Sequence, residues 1–102
     1  MKTINREIVR DTDTTFTLKS DNILFKDLTF YCDLTYNNVT SAVFAFTRLS
    51  DNIVTMYLPK EDSKELKLGL HKGTLLMVDS ANKVYPLREI NINVTINRTE
   101  II

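Results

Sequence analysis

Apolar and polar residues alternate along most of this chain with a period of two, in runs of five to ten residues. "TTFTLKS" places Phe16 and Leu18 on one face. "LTFYCDLTY" puts Leu28, Phe30, Cys32 and Leu34 on one side, with Thr29, Tyr31, Asp33 and Thr35 on the other. "SAVFAFTRL" sets Ala42, Phe44 and Phe46 against Val43, Ala45 and Thr47, and Phe44 and Phe46 are predicted to enter a core. "IVTMYLP", "GTLLMVD" and "NKVYPLREINI" running into "NVTINR" continue the pattern. This alternation marks strands buried on one side.

The punctuation agrees. "YNNV", "LSDNIV" and "DSANK" place Asn and Asp, which tolerate positive φ, at reversals between β runs. Pro59 ends a run, whereas Pro86 falls inside one. A proline cannot donate to a ladder, so Pro86 predicts an edge or a bulge. Only "PKEDSKELKLG" suggests a short helical turn, capped by Asp62 or Ser63 and stopped by Gly69. Seven or eight short strands at this spacing predict an all-β protein, an antiparallel immunoglobulin-like β-sandwich. A small barrel is the alternative.

At 102 residues the chain is one domain, large enough to bury a core without staples. Its 43% hydrophobic and 25% charged residues are those of a folded protein. Thirteen basic residues balance thirteen acidic ones. With no basic stripe, nucleic acid is not an expected partner. No apolar run approaches the ~20 residues needed to span a bilayer, and "MKTINREIVRD" lacks a signal peptide's apolar segment. No membrane partner is therefore expected. Cys32 is the single cysteine and falls on the apolar side of its strand, so it reads as a buried structural thiol. The N-x-T triplets at Asn38, Asn93 and Asn97 are chance matches in an Asn- and Thr-rich chain.

The most tempting chemistry lies in "HKGTLLMVDSANKVYPLREI", which holds the only histidine, His71, with Asp79 and Glu89 beyond it. Read as a hairpin, Gly73 starts a strand and Asp79 to Asn82 turn it. Leu75, Met77 and Val84 or Tyr85 then supply core, and His71 sits at an exposed loop position. The strand puts roughly 20 Å between His71 and Asp79, against the ~3 Å that proton transfer needs. "DTDTT" at 11–15 lacks the glycine and distal glutamate of a calcium loop. One His and one Cys do not make a zinc site. No catalytic residue, cofactor or metal is expected, and the chain reads as a non-enzyme.

Candidate contact residues are apolar side chains outside the strand pattern. Ile4 and Ile8 stand near the N-terminus, and Ile101 and Ile102 close the chain. Tyr31 and Tyr57 face outward by alternation and are candidate anchors. Segments 1–13 and 97–102 therefore read as docking arms of a single domain spanning 1–102, able to add to a neighbour's sheet edge.

From about Leu28 onward the layout resembles the immunoglobulin-like N-terminal domain of phage baseplate upper proteins and related virion modules. "LTFYCDLTY" and a turn lead to "VTSAVFAFTR", similar to that family's "L-T-x-A-x-V-x-F" strand. "LGLHKGTLLMVD" resembles its "L-x-x-G-x-Y-x-Y-x-L-x-D", and "NKVYPLREINI" its return strand, "G-x-V-x-x-L-x-x-G-x-I-x-V". The chain departs from the family where Glu89 or its neighbour stands for a family glycine and Asn82 replaces the turn glycine, and its first 27 residues have no counterpart there. The resemblance implies a bacteriophage structural protein in the virion, made in the host cytoplasm. Its implied partners are other virion proteins: the major capsid protein, or tail and baseplate components. A freestanding domain suits a small auxiliary (decoration) protein on the capsid, with a tail or baseplate adaptor as the alternative. Further alternatives are a homo-oligomer within the assembly and a carbohydrate- or host-surface-binding module using the outward tyrosines.

Overall fold

A computed structural model describes residues 2–22 and 24–96. The described residues form nine strands and one short helix: β1 (Thr3–Val9), β2 (Thr14–Lys19), β3 (Thr29–Tyr31), β4 (Asp33–Tyr36), β5 (Val39–Val43), β6 (Ala45–Ser50), β7 (Ile53–Leu58), α1 (Lys60–Ser63), β8 (Gly69–Val78) and β9 (Val84–Thr95). They make two sheets. One has the order β1-β9-β8-β4-β5, with β3 beside β4 along β8, and the other runs β2-β7-β6. This connectivity is the Greek-key arrangement of an immunoglobulin-like sandwich. All pairs are antiparallel except β1, which lies parallel to β9 from Thr3↔Glu89 to Val9↔Thr95. Part of the N-terminal segment predicted as an arm is therefore an edge strand of the chain's own sheet.

Two of the predicted runs divide. "LTFYCDLTY" breaks at Cys32, whose carbonyl accepts a hydrogen bond from Phe44 N–H at 3.1 Å. "SAVFAFTRL" breaks at Phe44, where the chain leaves the first sheet as β5 and enters the second as β6. Alternation cannot reveal this switch, because Ala42, Phe44 and Phe46 keep turning inward through it. Ala42 and Phe44 are buried, and Phe46 packs against the core.

Between the sheets lie Ile8, Phe30, Cys32, Leu34, Leu75, Ile90, Ile92 and Val94 from one layer and Val54, Met56 and Leu58 from the other. Phe25 closes one end, edge-to-face with Phe30 at 5.1 Å between ring centroids. Truncating a fully enclosed leucine such as Leu34 or Leu75 to alanine would cost ~2–5 kcal/mol.

The turns follow their residues. Asn37 and Asn38 both take positive φ, as the two-residue hairpin joining β4 to β5 requires. Asp79 Oδ1 accepts from Ala81 N and Lys83 N, both at 2.9 Å, and Asn82 has φ 63°. Pro86 meets both of its predicted conditions. A register shift accompanies it opposite Leu75 and Leu76, and β1 covers β9 only from Glu89 onward. Gly73 does not start a strand, as the sequence suggested, but sits in the middle of β8 opposite Leu34. A Cβ there would stand 2.5 Å from the Asp33 carbonyl oxygen, so the position admits no side chain without movement.

The helical turn exists, but its cap comes from elsewhere in the chain. Asp13 Oδ1 accepts from Lys60 N at 2.8 Å, and no local side chain caps α1. Ser63 is fully buried instead; its hydroxyl donates to Thr12 O at 2.7 Å and accepts from Thr12 N at 3.0 Å. These bonds tie the β1–β2 connection to the helix. No helix among the described residues is long and apolar enough to cross a membrane.

Candidate docking surface

His71 is not at an exposed loop position but fully buried on the inner side of β8. Its Nε2 lies 2.7 Å from Lys67 O, an acceptor only, so this nitrogen donates. Its Nδ1, 2.7 Å from Ser41 Oγ, then accepts the serine proton in the neutral ring. Tyr36 lies against the ring, 4.8 Å between centroids. The histidine thus binds β5, β4 and the connection before β8 together, with both nitrogens occupied.

Asp79 lies at the far end of β8, engaged in its turn and accepting from Tyr85 Oη at 3.2 Å. Its backbone hydrogen bonds, that from Lys83 first, hold its carboxyl below the ordinary carboxylate value. The core position expected at Val84 or Tyr85 is filled by neither: both are exposed, on the part of β9 before its register shift. Burial, and secondarily the Asp33 charge, push the Cys32 thiol up to about 12. Among the described residues no group of His, Cys, Asp and Glu is placed to hold a metal ion.

The predicted contact residues separate into three kinds. Ile8 is 1% exposed and belongs to the chain's own core, so it cannot serve as a docking residue; the parallel pairing of β1 with β9 turns it inward. Ile4 is half-buried and packs against that core. Tyr31 is 54% exposed on the outer face of the larger sheet. Tyr57 is exposed too, but its hydroxyl donates to Asp13 Oδ1 at 3.0 Å, a bond that raises its pKa above the ordinary value. Ile101 and Ile102, with the arm 97–102, lie outside the described residues.

A different apolar surface emerges from the strand registers. At one end of the larger sheet, Val9 pairs with Thr95, Gly69 with Val94, and Val39 with Tyr36. That end therefore gathers Val9, Val39, Leu68, Leu70 and Ile96, each between 36 and 67% exposed. Exposed Asn37 and Asn38 turn β4 into β5 at this end, and exposed Lys67 precedes β8 there. An apolar centre with a polar rim is the anatomy of a protein–protein contact. Leu70 had a signal in the sequence, since it alternates with His71. The grouping did not, because it joins residues up to 87 positions apart through the β1–β9 and β8–β9 registers.

No family model and no curated protein matches the chain. Among solved structures it is similar to the fibronectin(III)-like modules of CbhA from Clostridium thermocellum, at 10% identity. That match covers 95% of this chain and 91% of the other, with a TM-score of 0.48. It is also similar to AggA, the major subunit of the aggregative adherence fimbriae type I of Escherichia coli, at 9% identity, 89% coverage of each chain and a TM-score of 0.46.

Proposed function

We propose that the chain is a non-enzymatic structural protein of a bacteriophage particle, a small auxiliary protein docking on the capsid surface through the apolar end of its larger sheet. The observation that carries the docking is the row of exposed apolar residues Val9, Val39, Leu68, Leu70 and Ile96 along one set of strand ends. Exposed apolar side chains gathered in one place cost solubility unless a partner covers them. The chain's conspicuous reactive groups serve the fold instead: His71 links three segments, Asp79 holds a turn, and Cys32 is enclosed. The phage assignment rests on the strand-by-strand resemblance to baseplate upper proteins, which also favours a second reading as a tail or baseplate adaptor.

Quantitative mass spectrometry of purified virions tests both readings. A copy number comparable to that of the major capsid protein is the expected result. A copy number matching a tail component selects the adaptor, and absence from the particle overturns both. Leu70→Glu is expected to remove the chain from particles while leaving its folding intact, because this side chain is half exposed.

A further inference from the structure

The outer face of the larger sheet carries a groove of about 590 Å³, lined by Tyr31, Asp33, Lys72, Thr74, Glu89 and Asn91 among others. Its floor is hydrogen-bonded sheet: β3 and β4 follow one another along one side of β8, and β9 pairs with the other side. Its walls are therefore set by ladder geometry rather than by loops. From the row of Tyr31 and Leu76 to that of Lys72 and Asn91 the groove extends four residues along β8, or about 13 Å.

Its side chains hold unused hydrogen-bonding capacity. Among the described residues, Tyr31, Asp33 and Lys72 make no side-chain hydrogen bond. Asn91 Nδ2 donates to Asn5 Oδ1 at 3.2 Å, which leaves the Asn91 carbonyl oxygen free to accept. Glu89 accepts only from Thr3 Oγ1, at 3.4 Å. The groove thus offers one ammonium donor, several oxygen acceptors and one exposed aromatic ring.

That combination selects a ligand class. Two carboxylates against one ammonium disfavour phosphate, sulfate and nucleic acid, whose recognition needs net positive charge. Charged and polar walls disfavour an apolar peptide face. A pyranose has a face of C–H groups that lies on the electron-rich face of an aromatic ring, and a rim of hydroxyls that both donate and accept. We infer that this groove is a binding site for a neutral oligosaccharide, with Tyr31 as the stacking platform and Asp33, Lys72, Glu89 and Asn91 bonding the hydroxyl rim. The inference does not depend on the docking end, and a virion protein with both would hold its partner with one surface and meet a glycan with the other.

Titration of the ¹⁵N-labelled chain with cellohexaose, maltohexaose and chitohexaose, followed by amide chemical shifts, tests this. At least one of the three is expected to shift the amides of Tyr31, Lys72, Thr74 and Asn91 together. Tyr31→Ala should raise Kd by about tenfold or more, the scale of losing one anchor. Tyr57→Ala, which removes an outward tyrosine outside the groove, should leave Kd unchanged. A half-exposed residue such as Tyr31 can be truncated without unfolding the chain, and retained amide dispersion will verify this. The inference is overturned if no hexasaccharide shifts the groove amides, if the shifts lie elsewhere, if Tyr31→Ala binds as the parent does, or if a sulfated heparin hexasaccharide binds more tightly than the neutral probes.

Discussion

Gly73→Ala is the most exposing single test of the sheet geometry. The added methyl would lie 2.5 Å from Asp33 O and 3.2 Å from Leu34 Cδ2. The second contact can relax by rotation of a side chain. The first cannot, because a carbonyl oxygen moves only with its strand, and it must retreat by roughly 1 Å to reach ordinary contact. β4 pairs with β8 only at Leu34↔Gly73 and Thr35↔Lys72, so this retreat opens much of that seam. Overpacking costs ~1–3 kcal/mol, and a weakened backbone hydrogen bond adds ~1 kcal/mol. The restriction of the unfolded chain by alanine returns ~0.5–1 kcal/mol. The net expectation is a loss of ~1–3.5 kcal/mol. In a domain of this size each kcal/mol moves Tm by ~4–8 °C, so thermal unfolding followed by circular dichroism should show a fall of at least ~4 °C. Adding Leu34→Val to Gly73→Ala should restore little, since the obstacle is backbone. A Tm unchanged within ~2 °C, or full rescue by Leu34→Val, would refute this reasoning.

Further expectations follow from single groups. Ser63→Ala removes the partner of both Thr12 N and Thr12 O in a buried setting and should cost ~1–3 kcal/mol in urea unfolding. Cys32, with its thiol pushed up to about 12, should resist a thiol reagent at pH 8 in the native protein and react at once in denaturant. Because its folded pKa lies above the unfolded one, its contribution is fully present below pH ~9 and is lost as pH climbs towards 12, at up to ~1.4 kcal/mol per pH unit; Cys32→Ala should flatten that alkaline limb. Asp79 has its pKa lowered, so its contribution holds above its unfolded value of about 3.8 and disappears as pH falls through the folded value. An NMR titration should find it below the ordinary carboxylate value.

Much of the fold could be read from alternation, because a strand with one buried face has a period that survives in the sequence. Phe16, Leu18, Phe30, Leu34, Phe44 and Leu75 all pack as their parity predicts. What alternation cannot carry is pairing. The switch of strand at Phe44 between sheets keeps the parity intact, and the parallel docking of β1 on β9 joins residues 86 apart. His71 went astray for a related reason: "HKG" looks like a turn, yet β8 begins two residues earlier and carries the ring inward to Ser41 and Lys67. Asp13 as the cap of α1 is a long-range contact with no local signal. The apolar sheet end was equally hidden, since its five residues share one end of the larger sheet only through the registers, while Ile8, which looked free, is core.

The central claim is that the end of the larger sheet bearing Val9, Val39, Leu68, Leu70 and Ile96 seats on a neighbouring virion protein. A cryo-EM map of the intact source particle measures this directly. Density for this sandwich is expected on the capsid shell, with that end buried against its neighbour. A sandwich attached through another face with this end in solvent, or a particle without the chain, would contradict it.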